Sequence, residues 1–282
     1  NIVKYIVSKY CGFCSGVKRA VDAAYNNAGK NTVTYGELIH NKIVVDKLAT
    51  KGVKAVSDIS ECIGKKVIVR SHGAGKDFFD KANTLGIEVI DATCPFVKKI
   101  HDIVYRYYLE DYHIAIIGKA GHPEVEGING WCENTALIVD DESAVEALIG
   151  FEKVCFVTQT TYLLEKYLRI LKKIRKLPFK TVEIFNTICY TTISRQNDAE
   201  NISRICTKVL VIGSGNSSNT RKLMETAAGL SDVYLVESLD DLYKIKFSTN
   251  DVIGITAGAS TPEELIMEVK EYMSQELGAV VS

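Results

Sequence analysis

The chain has 282 residues, of which 46% are apolar, 24% charged and 9% aromatic, the composition of a globular protein with about two domains of ordinary size. Its 34 Lys and Arg nearly balance its 35 Asp and Glu, so no overall charge attracts nucleic acid or an anionic membrane. The longest apolar runs, such as 114–117 and 209–212, are only a few residues long, which excludes a membrane-spanning helix.

The amino terminus reads as a short strand, residues 2–7, and lacks the charged and then apolar pattern of a signal peptide. The chain contains eight cysteines. In a chain of this length without a signal segment, free thiols or metal ligands are more typical than disulfides. We therefore expect a reducing, cytoplasmic compartment.

Three cysteines each begin a similar stretch of sequence. Cys14 and Cys94 are followed by apolar residues at positions +3 and +6, which is the pattern of an amphipathic helix, and Cys189 begins a weaker copy. The three lie 80 and 95 residues apart, close to a third of the chain. The sequence therefore predicts a unit that occurs three times, with a helix beginning at each cysteine.

Strand signals recur in the same order within each copy. A first strand ends in a glycine, and a polar residue follows four positions later: Gly36 and His40, Gly118 and His122, Gly213 and Ser217. Second strands are predicted at 67–70, 154–157 and 252–255, each followed by a polar loop at 71–73, 158–160 and 256–258. Third strands at 88–90 and 182–185 lead to the next cysteine, and we expect the strand at 2–7 to complete the last copy.

Alternating strands and helices predict an α/β fold of three similar units with small, mostly parallel sheets around a pseudo-threefold axis. The expected units are 9–95, 96–188 and 189–282, the last completed by the amino-terminal strand 1–8. Ligands of parallel sheets bind beyond the carboxyl ends of the strands. The cysteines and the polar loops fall at that edge, so we expect them to share one site.

Three thiols in equivalent positions would meet on the axis, each at a helix N-terminus, where the helix dipole favours the thiolate. Only residues 11–14 have the Cys-x-x-Cys spacing of a zinc knuckle, and no second pair complements them. Three thiolates instead suit a [4Fe–4S] cluster with one open iron, a Lewis acid for a substrate oxygen. The predicted ligands are Cys14, Cys94 and Cys189. Cys11 is a weaker candidate, and we interpret the remaining four as packing residues: Cys62, Cys132, Cys155 and Cys206.

Polar side chains at the same edge would line a shared cavity. Histidines, hydroxyls and loop N–H groups can bind a phosphate without bulk positive charge. The candidates are His40, His72, His122, Gln159, Thr160, Thr161, Ser217, Ser218, Asn219 and Ser260. Glu124 follows His122 by two residues, and a buried carboxyl there would have a raised pKa, suited to proton delivery. We expect Glu126 to lie on the surface, and His101 and His113 to be structural or surface residues.

Nine segments together resemble one known family. In chain order they are GFCSGV (12–17), IHN (39–41), SHG (71–73), DATCP (91–95), GHPEVEG (121–127), TQTT (158–161), NTIC (186–189), SSN (217–219) and AGAS (257–260). They are similar to the 4-hydroxy-3-methylbut-2-enyl diphosphate reductases, the IspH/LytB family of non-mevalonate isoprenoid biosynthesis. The resemblance implies removal of the 4-hydroxyl group of the allylic diphosphate with two electrons and two protons, giving isopentenyl and dimethylallyl diphosphates.

The resemblance also implies a role for each matching residue. Cys14, Cys94 and Cys189 would hold the cluster, and the substrate hydroxyl would bind the open iron. The implied catalytic residues are Glu124, Thr160 and His122, and the implied substrate-binding residues are His40, His72, His122, Thr160, Ser217, Ser218, Asn219 and Ser260. Electrons would come from a ferredoxin- or flavodoxin-type protein, and no nucleic-acid or membrane partner is expected. Cys11 and the Tyr-Thr-Thr after Cys189 depart from the family pattern without touching an implied role.

Two other functions stay open on the residues alone. One is a non-redox dehydratase resembling quinolinate synthase, which also combines pseudo-threefold architecture with three cysteine ligands, although the loops at 121–124 and 217–219 argue against it. The other is a sensor of oxygen or iron that uses a labile cluster without turnover.

Overall fold

The computed structural model describes residues 3–281, which contain three small sheets whose strand pairings are all parallel. Residue 2, the first of the predicted strand 2–7, lies outside the described residues, as do residues 1 and 282. The strands are β1 Lys4–Val7, β2 Thr32–Tyr35, β3 Lys54–Val56, β4 Lys66–Val69, β5 Glu88–Asp91, β6 His113–Ile117, β7 Leu137–Val139, β8 Lys153–Thr158, β9 Thr181–Ile184, β10 Lys208–Ile212, β11 Asp232–Val236, β12 Val252–Ala257 and β13 Val280–Val281.

Helices connect the strands. They are α1 Ser15–Asn26, α2 Lys42–Thr50, α3 Lys76–Thr84, α4 Pro95–Leu109, α5 Pro123–Asn129, α6 Leu164–Ile174, α7 Tyr190–Ile205, α8 Ser218–Ala227, α9 Leu239–Leu242 and α10 Glu263–Glu271. Shorter 3-10 helices cover Ile59–Cys62, Gly130–Cys132 and Glu142–Leu148, and a π-helical turn covers Tyr272–Glu276. None of the helices in residues 3–281 has both the length and the apolar character needed to cross a membrane.

Four strands of each sheet follow the same order. Two of the sheets run β3-β2-β4-β5 and β7-β6-β8-β9. The third runs β11-β10-β12-β1 and adds β13 as a fifth strand beside β1. In the third sheet β1 pairs in parallel with β12, so the amino-terminal strand lies beside strands that follow residue 207. The predicted α/β class with three small parallel sheets is confirmed.

The central strands are apolar on both faces because helices cover both sides of a parallel sheet. The side chains of Val209–Ile212 have no exposed surface, and the same is true of residues 154–157 in β8. Continuous burial of this kind explains why the sequence of these strands shows an unbroken apolar run instead of an alternating pattern.

The chain forms two compact units. One comprises the described residues of 1–17, 40–44 and 190–282 and holds the five-stranded sheet, with a core that includes Tyr5, Leu210, Ile253 and Leu265. The other comprises 18–39 and 45–189 and holds both four-stranded sheets. The boundaries expected for three similar units stay a prediction.

Candidate active site

Three of the cysteines stand at the starts of helices, as the sequence predicts. Helices α1, α4 and α7 begin at the residue after Cys14, Cys94 and Cys189, and Cys94 is itself the N-cap of α4. These three thiols are half-buried, as is Cys11, whereas the other four cysteines are buried in the apolar interior. All eight, which lie within the described part of the chain, are free thiols.

The main-chain amides of these cysteines repeat one hydrogen bond. Each amide donates to a carbonyl oxygen two residues after the end of a neighbouring strand: Cys14 to Ala259 at 3.2 Å beyond β12, Cys94 to Ser71 at 3.0 Å beyond β4, and Cys189 to Thr160 at 3.0 Å beyond β8. In every case that strand pairs with the strand preceding the cysteine. Each cysteine is therefore fixed at the carboxyl edge of its own sheet.

Glu124 is a buried carboxyl group with a defined partner. Its side chain is 1% exposed, and Thr160 holds both of its oxygens. The Thr160 amide donates to Oε1 at 2.6 Å, and the Thr160 hydroxyl bonds to Oε2 at 2.7 Å. Burial raises the pKa of Glu124 to about 7, against the opposing effect of the two Thr160 hydrogen bonds. The group can therefore hold or release a proton near neutral pH.

Two of the predicted histidines lie together in the unit formed by residues 18–39 and 45–189. His122 is the N-cap of α5, and its Nδ1 accepts the Glu124 amide at 3.1 Å. The ring centroids of His72 and His122 are 5.5 Å apart, with the planes nearly perpendicular. His40 belongs to the other unit, which holds the five-stranded sheet; there it lies two residues before α2 and is half-buried.

The side chain of Gln159 joins the loop after β6 to the loop after β8. Its Oε1 accepts the amide of Lys119 at 3.0 Å, and its Nε2 donates to the Thr161 hydroxyl at 3.0 Å. The side chain is 1% exposed. The loop after β6, which leads to His122, is thereby tied to the loop after β8.

Hydroxyl and amide side chains collect at the edge of the five-stranded sheet. Ser217 caps α8 by accepting the Thr220 amide at 3.4 Å, and the predicted residues of this loop region are all buried: Ser217, Ser218, Asn219 and Ser260. The Asn219 Nδ2 and Ser260 Oγ atoms are buried and have no hydrogen-bond partner among residues 3–281. Buried polar atoms usually have partners, so these two donors are suited to an anionic ligand.

Hydrogen bonds join the end of β10, before the loop that contains Ser217, to the loop after β12 that contains Ser260. The Gly258 amide and the Thr261 hydroxyl both bond to the carbonyl oxygen of Ile212, each at 2.9 Å. Gly213 has a φ of +142°, and a Cβ atom there would lie 2.7 Å from the hydroxyls of Thr220 and Thr261. Glycine is therefore required where the loop leaves β10.

Several contacts of the site are not evident from the sequence. The Thr187 hydroxyl accepts the Thr158 amide at 2.7 Å and donates to the Thr158 carbonyl, which fixes the strand end before Gln159. The Glu237 carboxylate accepts the Gly215 amide at 2.7 Å, in the loop before Ser217. Both pairs join residues more than 20 positions apart in the chain. The sequence around Thr187 or Glu237 does not indicate that its side chain binds the main chain of a distant loop.

Burial also affects the thiols outside the three helix starts. It raises the pKa of Cys11 to about 11, with the Arg195 charge acting in the opposite direction, and the pKa of Cys155 to about 12. The expectation that Glu126 lies on the surface and that His101 is a structural residue of a helix agrees with their positions, exposed and buried respectively.

A buried, titratable carboxyl group and buried polar atoms at the carboxyl edges of parallel sheets define an α/β enzyme that acts on a polar ligand. Residues 5–274 match the family described as LytB protein, and the chain belongs to this family.

Relatives agree with this assignment. The 4-hydroxy-3-methylbut-2-enyl diphosphate reductase of Thermoanaerobacter sp. (strain X514) is 41% identical over 277 residues, which is 95% of each chain. The structure of the E-1-hydroxy-2-methyl-but-2-enyl-4-diphosphate reductase from Plasmodium falciparum superposes with a TM-score of 0.91 at 27% identity, covering 100% of this chain and 92% of that one. A structure of (E)-4-hydroxy-3-methyl-but-2-enyl diphosphate reductase, described as the terminal enzyme of the non-mevalonate pathway, gives a TM-score of 0.70 at 32% identity, covering 97% of this chain and 100% of that one.

Proposed function

We propose that this chain is a 4-hydroxy-3-methylbut-2-enyl diphosphate reductase, the terminal enzyme of the non-mevalonate pathway. The substrate loses its 4-hydroxyl group as water, and two electrons and two protons are consumed to give isopentenyl or dimethylallyl diphosphate. Family membership supports the reaction. The observation within the molecule that carries it is the buried Glu124–Thr160 pair, because the departing hydroxyl needs a proton donor shielded from water.

The cysteines fit an iron–sulfur cofactor. Cys14, Cys94 and Cys189 are each partly exposed, lie directly before a helix and have a main-chain amide bonded to a strand-end loop. The four packing cysteines are buried and do not share this combination: Cys62, Cys132, Cys155 and Cys206. These three residues would hold a [4Fe–4S] cluster and leave one iron without a protein thiolate. When bound, the cluster would supply electrons and Lewis acidity toward the oxygen of the leaving group.

Glu124 and Thr160 supply the proton. Near neutral pH, a carboxyl group with a pKa of about 7 is partly protonated before the reaction begins. The Thr160 hydroxyl, 2.7 Å from Oε2, can pass this proton on while its amide holds Oε1 in place. His122 orients the pair, because its ring nitrogen accepts the main-chain amide of Glu124.

The diphosphate is assigned to the buried polar groups. Asn219 Nδ2 and Ser260 Oγ are donors without a partner in the described residues, and an anion there would satisfy them. The full proposed set is His40, His72, His122, Thr160, Ser217, Ser218, Asn219 and Ser260. Neutral donors of this kind bind a diphosphate without a cluster of lysines, in keeping with a net charge of −1.

The proposed electron donor is a small protein of the ferredoxin or flavodoxin type, because the reaction consumes electrons that no residue of the chain supplies. The free state of all eight cysteines supports a reducing cytoplasm as the compartment.

One experiment tests this function. Protein purified without oxygen should be brown, absorb at about 400 nm and contain about four irons per chain. With a reduced donor and the hydroxylated diphosphate, it should form both products. Turnover without any donor would favour the dehydratase, and a loaded cluster without turnover would favour the sensor; either result would overturn the proposal.

A further inference from the structure

Arg195, on the second turn of α7, is a buried arginine with three main-chain partners. The residue is 4% exposed. Its Nη1 donates to the carbonyl oxygens of Tyr10 and of Ala257, the latter at 2.9 Å, and its Nη2 donates to that of Gly12 at 2.7 Å. Burying a guanidinium group is costly unless its donors are satisfied, so this arrangement needs a structural or functional reason.

Two of the three acceptors lie in the segment 8–14, which we call the Cys14 loop. Gly12 has a φ of +81°, and a Cβ atom there would lie 3.2 Å from Ile266 Cδ1, so the backbone at this point is closely packed. The third acceptor, Ala257, ends β12, two residues before the carbonyl that binds the Cys14 amide. Arg195 therefore binds both chain segments that the hydrogen bond between the Cys14 amide and the Ala259 carbonyl connects.

A second residue of α7 holds the beginning of the same loop. The Ser8 hydroxyl bonds to Asp198 Oδ2 at 2.5 Å, and the Ser8 oxygen accepts the amide of Tyr10 at 3.1 Å. Asp198 follows Arg195 by three residues, so both side chains lie on one face of the helix. The Cys14 loop is thus attached to α7 at several points along its length.

A related contact occurs at another predicted ligand. Arg19, five residues after Cys14, donates to the carbonyl oxygen of Thr93, the residue directly before Cys94. Arg19 is exposed, whereas Arg195 is buried. In both cases, an arginine in the helix that follows one cysteine binds the main chain just before another.

We propose that Arg195 is a positioning residue for Cys14: it holds the Cys14 loop in the conformation that presents this thiol to the cluster, and it places a permanent positive charge at the carbonyl oxygen of Gly12, two residues before Cys14. This inference rests on the proposed function, in which Cys14 is a cluster ligand. A positive charge near a cluster stabilises the reduced, more negative form. Arg195 therefore has two separable effects, retention of iron and a higher reduction potential.

Two substitutions separate these effects. Arg195→Lys keeps the charge but loses the planar fork that reaches three carbonyls, and Arg195→Gln loses both. Arg204→Gln is the matched control, because Arg204 lies on the same helix and forms an exposed ion pair with Glu200 at 2.5 Å. For each loaded, full-length protein, we would measure iron release to a chelator, the midpoint potential by anaerobic titration, and the order in which cysteines are alkylated.

We expect both Arg195 variants to release iron about tenfold faster than the wild type, since loss of one charged hydrogen bond has about this effect on an opening equilibrium. Cys14 should be the first cysteine alkylated. The midpoint potential should fall in Arg195→Gln but stay near the wild-type value in Arg195→Lys, and Arg204→Gln should match the wild type throughout.

The proposal would be overturned if folded Arg195→Gln kept wild-type iron release, potential and alkylation order. Loss of the native far-UV spectrum in both variants would also contradict it, because Arg195 would then support the whole fold and not the Cys14 loop in particular. Failure of the proposed function gives a different result, which is seen in the wild-type protein itself: it would bind no cluster, or it would bind one without converting the hydroxylated diphosphate in the presence of a reduced donor.

Discussion

The main-chain amide of Cys189 donates a hydrogen bond to the carbonyl oxygen of Thr160, with 3.0 Å between the two atoms. The amide and hydroxyl of the same threonine hold the two oxygens of Glu124. The proposed proton donor and a proposed cluster ligand are therefore connected through one residue. Thr160 thus holds the Glu124 carboxyl group and the main chain of Cys189 at the same time.

The first prediction concerns Glu124. Glu124→Gln keeps the size of the side chain and an oxygen for the Thr160 amide, but it has no proton to deliver. We expect wild-type iron content and turnover reduced by about 100- to 10,000-fold, the contribution typical of a positioned acid. Glu126→Gln is the control on the same helix, since Glu126 is exposed, and it should retain full activity. Comparable turnover in the two variants would remove Glu124 from the mechanism.

The second prediction is a pH dependence of stability caused by Glu124. Its pKa is raised in the folded chain from 4.5 to about 7, so the folded state binds more protons than the unfolded state between these values. The stabilising contribution is complete below pH 4.5 and is lost as the pH rises through 7, by up to about 3 kcal/mol. Anaerobic urea unfolding at pH 5.5 and 8.5 should show the larger part of this loss in the wild type and a smaller loss in Glu124→Gln. Parallel curves for the two proteins would contradict the assignment.

Local patterns were sufficient to predict the central strands and the helix starts. The strand β8 is an apolar run bounded by polar residues, and the helix after Cys94 begins with proline and continues with apolar residues at helical spacing. Signals of this kind depend on neighbours within a few residues. They place Cys94 and Glu124 at the carboxyl edge of a sheet before any coordinates are considered.

Other features were missed for physical reasons. The strands β3, β7 and β11 lie at sheet edges and are partly exposed. Strands β3 and β7 have only three residues each, too few for a strand periodicity to show, whereas the apolar residues of β11 (DVYLV) were a signal that could have marked it. The two-residue strand β13 was also not predicted. The contacts of Arg195 with residues 10 and 12 join positions more than 180 residues apart, and an arginine in a helix usually lies on the surface.

The third prediction tests the choice of thiols. Cys189→Ser should lose most of its iron and its absorbance at about 400 nm, because a serine hydroxyl is a poor ligand for iron in a cluster. Cys206→Ser is the matched control, since Cys206 is 6% exposed and packs in an apolar cluster beside Ala199. That variant should keep its iron, even with some loss of stability. An unchanged spectrum in Cys189→Ser would show that another cysteine is the ligand.

The fourth prediction concerns the diphosphate. Asn219→Ala removes a buried donor, and Asn219→Asp replaces it with a carboxylate that repels an anion. We expect KM to rise by about tenfold in Asn219→Ala and further in Asn219→Asp, with iron content unchanged. Increasing the ionic strength should reduce the difference between the two variants only weakly, because Asn219 is buried. A wild-type KM in Asn219→Asp would exclude Asn219 from the binding site.

The last prediction is an acid limit to stability set by His101. Burial lowers its pKa from 6.5 to about 4, and its ring stacks on Trp131 with centroids 5.0 Å apart. Between these pH values the unfolded chain binds a proton that the folded chain excludes. The contribution of the neutral ring is therefore complete above pH 6.5 and is lost as the pH falls toward 4, by up to about 3 kcal/mol.

His101→Phe preserves an aromatic ring beside Trp131 but cannot titrate. Its free energy of unfolding should fall less than that of the wild type between pH 6.5 and 4, whatever its value at neutral pH. The control is His113→Phe, because His113 is only partly buried and its pKa is lowered for the same reason but less strongly. If His101→Phe followed the wild-type acid profile, the protons taken up on acid unfolding would have to bind elsewhere.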